Sequence, residues 1–142
     1  EYGKIDEPHF VVCLEGGDEI HDSLVAFVEK EHITFGMIQG IGTVREVTLG
    51  FFHPDRKEYR ETKLYGIKEI ISLTGTLDMF QKKPYGHFNI ALGGEGQYIG
   101  QPYGLGVIGI TAKIIVTCFN TIIMREKDES MGFNMWKLSK KA

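Results

Sequence analysis

Only one stretch of this chain carries a helical pattern. After Glu15-Gly16-Gly17, Asp18 is placed to cap a helix running to about His32. Ile20, Leu24, Phe27 and Val28 recur at i, i+4, i+7 and i+8, while Glu19, Asp22, Glu29, Lys30 and Glu31 fall mostly off that stripe. A one-sided stripe needs a surface to cover, and nearly all the other apolar text reads as strand. The expectation is a single α+β domain, a mainly antiparallel sheet packed with one or two helices.

The strands follow from alternation and from turn residues. Residues 10–14 and 33–39 are short apolar strands, the second closing on Gly40-Ile41-Gly42. Over residues 43–52, Val47, Leu49 and Phe51 alternate with Glu46, Thr48 and Gly50, as in a half-buried strand. Residues 53–57 are turn text, 58–64 a polar, edge-like strand, and 67–77 a further strand with Gly75 at a bend or bulge. Residues 79–85 read as a loop. Residues 107–119 are nearly continuous apolar text and predict a strand buried on both faces. One strong helix is too little to cover both faces of such a sheet, so a second copy of the chain is the simplest cover.

Charge and cysteine usage narrow the classes of function. The 142 residues carry a net charge of −3, which argues mildly against a polyanion as partner, because affinity for DNA comes largely from Lys and Arg on phosphates. The one basic cluster, Lys137, Lys140 and Lys141 beside Trp136, reads either as a solvated tail or as a nucleic-acid contact. Cys13 and Cys118 sit in apolar strand text and read as buried free thiols of a reducing compartment. No apolar run approaches the ~20 residues that a bilayer span requires. The expectation is a cytoplasmic protein without a membrane partner.

The chemically most telling segment is a hairpin. From His87 to Leu92, Phe88, Ile90 and Leu92 point one way and His87, Asn89 and Ala91 the other. A three-residue turn at Gly94-Glu95-Gly96, with Gly96 at positive φ, pairs Gly93 with Gln97 and sets Asn89 opposite Gln101, with His87 diagonal to it. His87, Asn89 and Gln101 then form a small polar cluster near Glu69. It reads as a hydrogen-bonded set at a subunit boundary, a small-ligand pocket or a metal centre. As a metal site it offers one good ligand and two neutral amides, which bind borderline metals far more weakly than imidazole or thiolate. The other four histidines lie apart, without i,i+4 pairing. Gly40-Ile41-Gly42 lacks the third glycine and helix start of a dinucleotide loop, and no Gly-x-Ser-x-Gly elbow occurs.

Three segments in order resemble a known family. Gly36-Met37-Ile38-Gln39-Gly40-Ile41-Gly42-Thr43-Val44, then Gly66-Ile67-Lys68-Glu69-Ile70-Ile71-Ser72-Leu73-Thr74-Gly75, then the hairpin are similar to the plant and prokaryote conserved (PPC) domain. The resemblance spans residues 10–125, after an extension over 1–9 and before a tail over 126–142. It implies an acetolactate-decarboxylase-like α+β fold, usually a homotrimer, nominally associated with DNA and transcription. The Arg-Gly-Arg-Pro AT-hook that plant members use is absent from the sequence. Many prokaryotic members carry His-x-His and a later Gly-Gly-His that look like metal ligands. Here these positions read His87-Phe88-Asn89 and Ile99-Gly100-Gln101, so the resemblance implies a metal site that has lost its ligands, with no cofactor and no zinc. The resulting expectation is a non-enzymatic homotrimeric regulatory module that associates with DNA. The alternative is a small-molecule-binding or weakly catalytic protein using His87, Asn89, Gln101 and Glu69.

Overall fold

The computed structural model describes residues 1–94 and 96–138, the side chains of 101–105 excepted. Among the described residues, eight strands and one helix follow in the order β1 (Tyr2–Asp6), β2 (His9–Glu15), α1 (Ile20–Lys30), β3 (Gly36–His53), β4 (Glu58–Phe80), β5 (Lys83–Gly93), β6 (Tyr98–Cys118), β7 (Met124–Asp128) and β8 (Phe133–Lys137). They form one sheet in the order β1-β2-β6-β3-β4-β7-β8, with β5 pairing both β4 and β6. All pairings are antiparallel except β4 with β7. Because β3, β4, β5 and β6 pair in a cycle, that part of the sheet closes on itself.

The helix forms where its apolar stripe predicts and buries Ile20, Leu24, Phe27 and Val28 against the inner sheet face. Full burial of each such side chain contributes roughly 1.5–3 kcal/mol. Its cap differs by one residue from the expectation. Glu19, in extended conformation, accepts from the Asp22 amide at 2.6 Å. Its other oxygen accepts from the Gly106 amide at 3.0 Å, tying the helix start to β6. Asp18 instead accepts from the Glu15 amide, at 2.8 Å, within the preceding turn.

Three strand expectations need correction. Residues 36–39 of the first expected segment and the whole of 43–52 are one strand, β3, which absorbs the Gly40-Ile41-Gly42 region as a register shift rather than ending there. Likewise 58–64 and 67–77 are one 23-residue strand, β4, and no bulge occurs at Gly75. Gly75 is required for close approach: a Cβ there would lie 2.1 Å from the His87 carbonyl oxygen. The supposed loop at 79–85 is a tight turn in which Gln81 and Lys82 adopt φ of 51° and 63°. Two residues at positive φ make the primed turn that matches the twist of a hairpin.

The inner face carries the core, with Ile38, Leu73, Leu77, Phe88, Ile90, Ile114 and Val116 all buried. On the outer face β6 is not buried in the single chain: Ile110 is 66% and Ile115 47% exposed. The continuous apolar text of 107–119 therefore covers two different faces, one in the core and one open. Ile41, Ile71 and Ile110 line an open pocket of about 430 Å³ on that outer side, with Glu69 and Lys113 at its margin. Beyond the core strands, β7 and β8 form a hairpin over residues 124–137, closed by Asp128, whose carboxylate accepts from Ser130 and from the Met131 amide. The two cysteines are free and half-buried.

Candidate functional site

Strand alternation puts His87 and Asn89 on the outer face of β5, opposite Thr76 and Thr74 of β4. Tyr85 sits opposite Asp78 on the same face. The β5–β6 ladder pairs Ile90 with Gly100, Ala91 with Ile99 and Leu92 with Tyr98, the register a three-residue turn requires. Gly96 takes φ 106° in that turn. Glu95 and the Gln101 side chain lie outside the described residues.

Of the four residues expected to cluster, His87, Asn89 and Glu69 can be placed, while the Gln101 side chain lies outside the described residues. Asn89 is exposed, whereas His87 is half-buried. Glu69 is exposed, pairs with Gly93 and borders the outer-face pocket. Six strand residues separate Gly93 from His87, roughly 20 Å along β5, so Glu69 and His87 belong to different regions.

What faces His87 instead is a group that sequence spacing does not expose. β7 enters beside the end of β4, pairing Met79 with Met124 and Phe80 with Arg125. This delivers Arg125 to Asp78, 47 residues away in the chain. The Arg125 Nε donates to both Asp78 carboxylate oxygens, at 2.9 and 3.0 Å, with side chains 7% and 0% exposed. Trp136 Nε1 donates to the same carboxylate at 2.6 Å. Arg125 Nη1 donates to the Asn134 carbonyl at 2.9 Å, and Nη2 stands 3.5 Å from His87 Nδ1. The guanidinium also lies over Tyr85, 4.8 Å from the ring centroid, and 5.9 Å from that of Trp136.

These side chains front a cavity of about 290 Å³, walled by Tyr59, Tyr85, His87, Arg125, Phe133 and Asn134. Tyr59 and Asp78 stand near opposite ends of β4, so the strand curls to bring both to one region; its register shift between Ile70 and Ser72 assists that curl. Burial lowers the pKa of His87 from its ordinary value, and the Arg125 charge lowers it further, against a smaller opposing pull from Asp78. Both effects disfavour the charged form of the imidazole that faces the cavity. The one sequence signal for this group was Asp78 itself, a charge set between Leu77 and Met79 in otherwise apolar text.

The metal site implied by the family resemblance does not fit these residues. A cationic guanidinium stands against His87 Nδ1, and Asn89 offers only a neutral amide. No group of three or more His, Cys, Asp or Glu side chains gathers among the described residues.

A family model for the Plants and Prokaryotes Conserved (PCC) domain matches residues 2–120. Among solved structures, the chain resembles a protein from Bacteroides thetaiotaomicron provisionally described as DNA-binding, with a TM-score of 0.91 and 27% identity over 96% of each chain. It also resembles a metal-containing protein from Archaeoglobus fulgidus, with a TM-score of 0.85 and 27% identity over 97% of this chain and 96% of that one. A plant- and prokaryote-conserved protein from Pyrococcus horikoshii gives a TM-score of 0.84 and 26% identity, over 99% of this chain and 96% of that one. No curated protein matches the sequence.

Proposed function

This chain belongs to the Plants and Prokaryotes Conserved domain family, and on that premise we propose that it is a non-enzymatic homotrimer acting as a DNA-associated regulatory module. The observation that carries the assembly half is the open outer sheet face, where Ile41, Ile71 and Ile110 are 60%, 58% and 66% exposed. Exposed apolar surface of this kind is covered most simply by a symmetry-related copy. The acetolactate-decarboxylase-like architecture implied by the resemblance belongs to the same reading, as does a cytoplasmic location. No helix among the described residues is long and apolar enough to cross a membrane.

The DNA half draws its support from the similar Bacteroides protein and needs the assembly to work. The exposed tip joining β3 to β4 carries Arg56, Lys57, Arg60 and Lys63, interspersed with Asp55, Glu58 and Glu61. One such tip holds only a slight positive excess; three on one particle act together and raise apparent affinity without new contacts. Lys140 and Lys141, the rest of the basic tail cluster, lie outside the described residues. The zinc-free expectation belongs to the same reading, supported by the Arg125 guanidinium that stands beside His87 Nδ1.

Fluorescence anisotropy on a labelled duplex, repeated across salt concentrations, tests the proposal. The expected result is saturable binding at low salt that falls linearly with log salt. A variant that no longer assembles should bind at least about tenfold more weakly. Absence of saturable binding at low salt would remove DNA from the account and leave the assembly alone.

A further inference from the structure

We propose that the cavity between Tyr85, His87 and Arg125 is a binding site for a small planar carboxylate. This goes beyond the assembly and DNA reading and holds whether or not the chain assembles.

A guanidinium has five N–H groups. The Nε proton goes to Asp78, one Nη1 proton to the Asn134 carbonyl, and one Nη2 proton is directed toward His87 Nδ1. Arg125 lines the cavity beside Tyr59, Tyr85 and His87. Asp78 engages Nε alone, so it steadies the group without occupying the forked end. Trp136 holds Asp78 in turn, and Tyr85 and Trp136 flank the guanidinium. An arginine fixed in this way, only 8% exposed, is pre-organised, and its planar fork matches the two oxygens of a carboxylate.

The rest of the lining selects what the carboxylate is attached to. Tyr59, Tyr85 and Phe133 supply aromatic walls, and Phe133 is fixed by Phe52 at a ring separation of 4.9 Å. At about 290 Å³ the space lies at the lower edge of the roughly 300–1,000 Å³ range of small-ligand pockets. A flat ring bearing one carboxylate fits both the volume and the walls. His87 contributes a second polar contact beside the guanidinium. A divalent cation is disfavoured by Arg125, and a fully hydrated phosphate would leave the three aromatic walls unmatched.

Benzoate serves as the probe, with benzyl alcohol and inorganic phosphate as comparisons. Trp136 is the only tryptophan in the chain, and its indole N–H donates to Asp78 within the cluster, so one resolved NMR signal reports on the site. Titrating benzoate into the intact protein should shift that signal saturably, at one site per chain, with benzyl alcohol at least about tenfold weaker. Arg125→Lys should weaken benzoate at least tenfold and His87→Gln severalfold. If Arg125→Lys fails to fold, His87→Gln and the wild-type comparison among the three probes carry the test. Equal binding of benzyl alcohol would make the cavity merely apolar, and phosphate binding as tight as benzoate would make it a general anion site. Either result, or no saturable shift at all, overturns the proposal.

Discussion

Asp78 and Arg125 form a buried ion pair that ties β7 to β4. Removing one partner of a buried ion pair strands the other charge in a low-dielectric site and costs about 3–5 kcal/mol. Asp78→Asn should therefore lower unfolding stability by that amount in a denaturant titration. The double change Asp78→Leu with Arg125→Met should recover most of it, because no charge is then left behind. His87 makes a pH prediction. Its folded pKa lies below the ordinary value of 6.5, so as pH falls below 6.5 the unfolded chain takes up a proton that the folded chain resists. Stability from this group is complete above pH 6.5 and declines as pH drops toward the folded value. His87→Gln should flatten that part of the stability–pH curve. A slope that survives the substitution would assign it to another group.

Among the elements, the β4–β5 turn is a place where sequence and backbone disagree. Gln81 and Lys82 sit at positive φ, a conformation that disfavours residues with a Cβ. Lys82→Gly should stabilise the protein by about 1 kcal/mol, read as an upward shift of the melting temperature. The same disagreement explains why this segment reads as a loop: Gln-Lys gives none of the Asn-Gly or Asp-Gly cues that mark such a turn. Where local chemistry and backbone agree, the sequence is legible. The α1 stripe, the alternation of residues 87–92 and the positive φ of Gly96 are all found as their patterns predict. Long strands are harder to read, because β3 and β4 pass through glycines and register shifts that resemble strand ends. Of the Asp78–Arg125–Trp136 group only Asp78 left a signal, since Arg125 and Trp136 lie 47 and 58 residues further along the chain and reach it through the parallel β4–β7 pairing.

At the scale of the whole molecule, the sheet is covered on one side by α1 and left open on the other. The continuous apolar text of 107–119 makes sense only when both faces are counted: Ile108, Ala112, Ile114 and Val116 serve the core, while Ile110 and Ile115 stand exposed on the outer face. Sedimentation equilibrium of the purified chain tests this most directly. A single species of about 48 kDa, three times the 16.0 kDa chain, is expected, and Ile41→Glu with Ile110→Glu should convert it to monomer without loss of fold. A folded wild-type monomer of 16.0 kDa at micromolar concentration would contradict it.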